Sequence, residues 1–440
     1  MSRVAPRSAV QRGLSAHAAI GLITCALLYI VCITGTLLVF YEEWQRVEQR
    51  DAPEMASIRP DAVEAAVAHV LASEKGKTPT THLYVHLPVD ALPRTTVTTD
   101  HQAVHVDAEG RIVTTERNGW SEFLLALHYQ LNIPSILGAS IVGALGVMIV
   151  ALSITGVIAH PRIFRDAFRL RARDRGGLAL ADWHNRLGVW TLPFTLAVAL
   201  TGAMIGLGSI NLYGIATSFY KGDLEASYAP IFGAEGKPDA RPAPLPDIVA
   251  ALNGMAARFP DVRPYYVILH EPLTAGQEVQ ILGTHQRRLI YGDNYRFDGQ
   301  GRYLGHAGLS DGAAGQQIAA SSYNLHFGNF GGLPVKIAYA VFGTALCVMI
   351  ATGTFIWIGK RARRGYRHPR LRAGWHGVVW GTPAALALTL VARFVLGNDA
   401  PFIAIFWIAA GLFAVVPLLW PRRRGAAGLS LAPVPDAPRR

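Results

Sequence analysis

Cysteine is nearly absent from this chain. Three residues, Cys25, Cys32 and Cys347, are spread over 440 positions with no CxxC pair, which excludes a disulfide scaffold and a thiolate-built zinc or iron–sulfur site. Charge is scarce too: 16 % of residues are charged against 51 % apolar. Catalytic signatures are missing as well. There is no HExxH and no Walker loop, and without a dinucleotide fingerprint any NAD(P)H would have to act through another protein.

What the chain has is long apolar runs. Six are long enough to cross a hydrocarbon core, which takes ~20 helical residues: 18–40, 136–159, 187–210, 335–358, 377–396 and 401–420. They are apolar all round and carry hardly any charge, so they read as spans rather than surface-lying amphipathic helices, and the lipid bilayer is the first partner. The first run is full span length and has no small-x-small exit, so it is expected to be an uncleaved anchor.

The net charge of +11 is concentrated in short connections. Arg3, Arg7 and Arg12 precede the first run, Arg162 to Arg175 follow the second, Lys360 to Arg372 the fourth, and Arg422 to Arg424 the sixth. The positive-inside rule then predicts a multi-pass protein of a bacterial inner membrane, with both termini cytoplasmic and the two long connections, 42–127 and 213–325, periplasmic. Basic charge here sets topology and does not point to nucleic acid.

Each long connection has the same grammar. A helical stretch (from Arg59 with Asp61 as N-cap, and from Pro246-Asp247) is followed by strand-like runs and an Asp-x-x-Gly-Arg turn, Asp107 to Arg111 and Asp298 to Arg302, so each is expected to be a small α+β module. The flanking runs repeat as well. His17 stands ahead of Thr34-Gly35 as His184 does ahead of Thr201-Gly202, and Leu127-His128-Tyr129 introduces the second run as Leu325-His326-Phe327 introduces the fourth. The fold class is therefore an α-helical membrane protein with six transmembrane helices: two parallel helix–module–helix repeats related by a pseudo-two-fold along the membrane normal, then a C-terminal helix pair. The expected segments are a lead-in at 1–16, TM1 at 17–41, TM2 at 128–160, a basic loop at 161–182, TM3 at 183–212 containing Pro193, TM4 at 326–359, a basic loop at 360–373, TM5 at 374–396, TM6 at 401–420 and a disordered tail at 421–440.

Histidine carries the chemistry. In a parallel repeat His17 and His184 lie near one face of the membrane and His128 and His326 near the other. Imidazoles from facing helices can hold a haem between them, so the expectation is an inner b-type haem on His17 and His184 and an outer one on His128 and His326. His160 and His376 are reserve ligands. His17 to Gly35 alone rises ~27 Å, so electrons passing between two such sites would need a relay or a deeper outer haem. A further set, His82, His86, His101 and His105, falls at even spacing on strand-like runs of the first module and could hold a transition metal with Asp100 or Asp107.

At these residues the chain resembles the PepSY-associated transmembrane family, iron-regulated inner-membrane proteins that include haem-containing ferrisiderophore reductases. The similarity runs through His17 with Ile33-Thr34-Gly35, Leu127-His128-Tyr129, Thr155 to His160 with Arg162-Ile163-Phe164, Asp182-Trp183-His184-Asn185 with Leu192-Pro193-Phe194, Leu325 to Gly328 with Phe330-Gly331-Gly332, and Gly381-Thr382-Pro383. It implies a PepSY fold for each module, b-type haem in the bundle and electron delivery to a periplasmic ferric chelate such as a ferric siderophore, with a quinol or a cytoplasmic reductase as donor. Where some relatives carry a histidine after the Pro-Phe of the third span, this chain has Thr195. The alternative is a non-enzymatic membrane protein whose modules bind a peptide or a protein partner, as a regulator or metal-uptake accessory.

Overall fold

The structure, a computed structural model, describes residues 8–166, 178–232, 236, 238–285, 289, 292–308 and 313–419. In chain order the described elements are α1 (Ala9–Leu38), α2 (Tyr41–Glu48), α3 (Pro60–Ser73), β1 (His82–His86), β2 (Thr95–Thr98), β3 (Ala103–Val106), β4 (Ile112–Thr115), α4 (Gly119–Gln130) and α5 (Ile136–Ala159). They continue with α6 (Ile163–Asp166), α7 (Leu178–Trp190), α8 (Leu192–Gly206), α9 (Gly208–Phe219), α10 (Leu224–Phe232), α11 (Ile248–Arg258), β5 (Val262–His270), β6 (Glu278–His285), β7 (Asp293–Asp298) and β8 (Tyr303–Ala307). The last are α12 (Ala314–Ala320), α13 (Ser322–Phe327), α14 (Gly332–Arg363), α15 (Pro369–Leu396) and α16 (Phe402–Leu419).

Five of these, α1, α5, α14, α15 and α16, are long and apolar enough to cross a membrane. Their spanning windows are at most 39 % buried, so most of their apolar surface faces outward, as lipid contact requires. The third span is not the single helix expected. It breaks at Thr191, and α7 and α8 meet at 66°. Pro193 lies at the second position of α8, where its missing N–H costs no ladder bond, so the sequence restarts a helix there instead of continuing one. The fourth run holds a lysine in its first turn. Lys336 is 5 % exposed, and its Nζ donates to Glu42 and Glu43 of α2 at 2.8–3.0 Å, which neutralises the charge and ties α14 to the first repeat.

Helix α1 packs on α5 and α14, α5 on α8, and α14 on α7, so the helices of the two repeats form one bundle. The C-terminal pair α15 and α16 packs on itself and touches the bundle through α1, α14 and α4. Its grip on the first repeat is polar. The Glu48 side chain is fully buried and accepts from the backbone N–H groups of Trp120 and Ser121 at the start of α4 and from Nε of Arg393 at 2.9 Å. Arg393 also donates to the carbonyls of Glu48 and Arg117, while Trp120 donates to Thr389.

Outside the bundle the two modules fuse. Their strands form one eight-stranded sheet in the order β4-β3-β2-β1-β5-β6-β7-β8, joined at an antiparallel β1–β5 seam that pairs Leu83 with Leu269 and Val85 with Val267. Alternation sets the faces: Leu83, Val85, Val97, Val267, Leu269, Val279 and Ile281 point to one side, where Val63, Val67 and Val70 of α3 and Ile248, Ala251 and Met255 of α11 complete a single core. A seam between symmetry mates explains why neither short β1 nor its module needs a core of its own.

Both Asp-x-x-Gly-Arg turns are present and alike. Asp107 accepts from the backbone N–H groups of Glu109 and Arg111 and from Nε of Arg111, as Asp298 does from Gln300 and Arg302. Gly110 and Gly301 have φ of +78° and +68°, and a Cβ on either would run into the first turn of α3 or α11. Asp247 caps α11 by accepting from the N–H of Ala250 at 2.7 Å. Asp61 is not the expected N-cap of α3. That position is Arg59, with Pro60 first in the helix, and Asp61 pairs with the Arg59 guanidinium instead.

Candidate functional site

Four Thr-Gly steps lie in the bundle helices: Thr34-Gly35 in α1, Thr155-Gly156 in α5, Thr201-Gly202 in α8 and Thr352-Gly353 in α14. Each threonine turns its hydroxyl back to the carbonyl four residues earlier, at 2.6–2.8 Å. Each glycine leaves a notch on the helix surface. Against each of these four seats lies one histidine from a neighbouring helix.

His17 sits on Gly156, His128 on Gly35, His184 on Gly353 and His326 on Gly202. A Cβ on those glycines would lie 3.4, 2.6, 3.2 and 2.7 Å from the imidazole Cε1, respectively. In every case Nδ1 donates to the carbonyl four residues before the glycine: His17 to Leu152 at 3.0 Å, His128 to Val31 at 2.9 Å, His184 to Met349 at 2.9 Å and His326 to Val198 at 3.1 Å. The threonine oxygen stands 3.1–3.4 Å from the same nitrogen. Because a carbonyl can only accept, Nδ1 carries the proton, and the lone pair is on Nε2. A carbonyl holding Nδ1–H in this way is the usual outer-shell support of a metal-bound imidazole.

The repeats bring the histidines together in twos. The rings of His17 and His184 are 6.3 Å apart centre to centre, nearly perpendicular at 86°; those of His128 and His326 are 6.1 Å apart and inclined at 32°. Two metal–nitrogen bonds of ~2 Å plus the half-widths of two rings sum to roughly 6 Å, so both separations suit one metal centre held between two Nε2 atoms. Each member of a pair comes from a different repeat. A cleft of ≈ 470 Å³ opens beside the second pair, lined by Leu200, Thr201, Met204, Ser322 and Leu325 among others.

The structure brings together the histidines that the repeat groups in twos, and seats each on a helix of its own repeat. His17 is seated by Thr155-Gly156 of α5, not by the Thr-Gly of its own helix, and His128 in turn takes Thr34-Gly35. Of the reserve ligands, His376 packs against Phe355 and His160 caps α5; neither meets a Thr-Gly seat. Thr195 is 2 % exposed and donates to Thr191, closing the break between α7 and α8.

The four module histidines do not converge. His82 and His86 share the face of β1 away from the core, where they pack on His270 and Tyr266 of β5 across the seam. His105 is 3 % exposed, wedged between Thr96 and Gln49, and burial, reinforced by the Arg94 charge, pushes its pKa down to about 4. His101 bonds the Thr78 carbonyl. Among the described residues no three His, Cys, Asp or Glu side chains gather into a group that could hold a metal ion.

The architecture is that of a multi-pass membrane protein with paired, carbonyl-supported histidines at two levels of its bundle. Residues 14–360 match the family described as the PepSY-associated TM region, and the chain belongs to it. It is 29 % identical over 335 residues to an uncharacterised protein of Pseudomonas aeruginosa, an alignment that covers 70 % of this chain and 83 % of that one. The matched family region stops before α15 and α16.

Proposed function

We propose that this protein binds two b-type haems, one on His17 and His184 and one on His128 and His326, and carries electrons across a bacterial inner membrane to reduce ferric iron in the periplasm, with a ferric siderophore as the acceptor. The observation that carries this reading is the seat repeated four times, which puts the Nδ1 proton on a carbonyl and leaves the Nε2 lone pair available, with the rings brought within 6.1–6.3 Å of each other in two pairs. Haem bound there would supply reversible one-electron exchange, one electron for each ferric ion reduced to ferrous.

The protein's share is position and potential. Carbonyl-bonded Nδ1 raises the basicity of the opposite nitrogen, and the lipid-embedded, apolar helices keep water from the imidazoles. The pairs are separated along α1 by most of a membrane thickness, because His17 is in its third turn and His128 seats on Gly35 near its far end. The Phe194, Tyr339 and Phe342 rings, 5.0–5.5 Å apart, lie on α8 and α14 in that interval. With the arginine-rich connections cytoplasmic, the fused sheet stands in the periplasm, over the outer pair.

The test is a visible spectrum of the protein purified from haem-replete cells. The expected result is a Soret band that shifts with dithionite, carries two haems per chain and loses one of them in His184→Ala. A colourless preparation would end this reading.

A further inference from the structure

The arginine-rich end of the bundle holds a buried charge that the histidine pairs do not use. Arg186 of α7 is 5 % exposed, yet its Nε and Nη2 are buried with no hydrogen-bond partner among the described residues. One turn earlier on the same helix face, Asp182 has a buried Oδ2 in the same condition. An Asp and an Arg four residues apart would ordinarily close on each other, but these do not form an ion pair. A third orphan, Nδ1 of His160, lies at the C-cap of α5, and the short helix that follows, α6, packs on α7. Leaving a charged group dry and unpaired is among the costliest arrangements a protein can hold, so these atoms are expected to be met by a ligand.

The orphans restrict its chemistry. Arg186 offers donors and Asp182 an acceptor, and their charges cancel, so the ligand is neutral and both accepts and donates hydrogen bonds. An anion such as a carboxylate or phosphate would satisfy Arg186 and leave Asp182 facing a like charge. The surroundings restrict it further. At 100° per residue Trp183 and Trp190 fall beside Asp182 and Arg186 on the α7 surface, and they, with Phe164 of α6, are 42 %, 46 % and 54 % exposed, an apolar rim that an isoprenoid-like tail would cover. His184 projects from the other side of α7, about one helix diameter (~10 Å) away.

We infer that Asp182 and Arg186 form the head-group site of a lipid-soluble quinol, the electron donor to the His17–His184 pair; this rests on the proposed function. A quinol hydroxyl donates to Asp182 and accepts from Arg186. On oxidation both O–H bonds break, one proton passing to the Asp182 carboxylate and one to water. The haem that His17 and His184 would hold accepts one electron at a time, so the two electrons would leave in succession, the first passing on towards a ferric ion before the second follows; one quinol then yields one quinone and two ferrous ions.

The test uses the full chain in lipid nanodiscs. Anaerobic decylubiquinol is mixed with the oxidised protein while the Soret band is followed, and decylubiquinone is titrated separately against tryptophan fluorescence. The wild type is expected to be reduced by the quinol and to show saturable quenching. Asp182→Asn and Arg186→Gln are each expected to weaken quenching and slow reduction roughly tenfold or more, the loss of one charge-assisted hydrogen bond, with haem content and dithionite-reduced spectrum unchanged. Haem that dithionite reduces but the quinol does not overturns the inference and leaves the proposed function standing. So does an Arg186→Gln protein that loses haem while Asp182→Asn behaves as wild type, since Arg186 would then serve a haem carboxylate. A colourless protein fails the proposed function instead, and the quenching titration then decides whether the head-group site exists.

Discussion

Gly35 lies so close to His128 that a single methyl group on the glycine would stand 2.6 Å from the imidazole Cε1. No carbon atoms tolerate that approach, so either the ring or the helix must move. The notch is thus part of what orients the imidazole, because a displaced ring loses the Nδ1 bond to the Val31 carbonyl.

Alanine at the four seats should therefore act in proportion to the space available. Gly35→Ala and Gly202→Ala, with 2.6 and 2.7 Å, are expected to cost about 1–3 kcal/mol of stability and to strip or alter the haem proposed for the His128–His326 pair. Gly156→Ala, whose Cβ would meet the His17 ring at an ordinary contact distance of 3.4 Å, should leave the other pair nearly intact. Haem content and the reduced α-band of the three variants check this ordering.

Pairing across the repeats makes a prediction that the singles alone cannot test. His17→Ala and His184→Ala should each remove the same haem, so the double variant should retain as much haem as either single. His17→Ala combined with His128→Ala should retain none. Pyridine haemochrome assay of the two doubles gives the answer, and equal haem in both would refute the pairing.

Arg393 and Glu48 form a buried pair whose removal leaves one charge stranded, so Arg393→Gln should destabilise the protein by about 3–5 kcal/mol, read as a lowered thermal midpoint. Because Glu48 also holds the first backbone N–H groups of α4, the helix that carries His128, the haem of the outer pair should change its midpoint potential more than that of the inner pair. Replacing both residues by apolar ones should restore part of the lost stability.

The module should weaken in mild acid through His105. Its pKa falls from 6.5 to about 4 on folding, so between those values the unfolded chain binds the extra proton and the folded one does not. The contribution is present in full above pH 6.5 and lost as pH drops towards 4, up to about 3 kcal/mol. His105→Gln should flatten the fall in thermal midpoint between pH 7 and pH 5; an unchanged slope would remove His105 as its source.

Much of this was legible in the sequence because the membrane and the repeat each impose a period. Apolar run length marks the spans, and the duplicated Asp-x-x-Gly-Arg turns and Leu-His-aromatic tripeptides identify equivalent residues, which is enough to pair His17 with His184 and His128 with His326. What escaped was everything decided by contacts between distant elements. The Thr-Gly that seats His17 is on α5, and no spacing along α1 could show it, although four Thr-Gly steps for four histidines was an available hint. The partners of Lys336 and Arg393 lie 293 and 345 residues away. The fusion of the modules depends on edges: β1 and β5 each read as a strand, but only their meeting shows that neither sheet ends there. Asp61 misled because Pro60 occupies the first helical position and moves the cap back to Arg59.

The β1–β5 seam has a mechanical consequence. Transporters built from paired repeats work by rocking one half against the other around a fixed midplane site. Here the two halves are sewn together outside the bundle by five consecutive residue pairs and a common core, and inside it by imidazoles meeting across the repeat boundary. Such a frame cannot swing without tearing its own sheet. It suits cargo that crosses a stationary protein, and an electron is the cargo that needs no door.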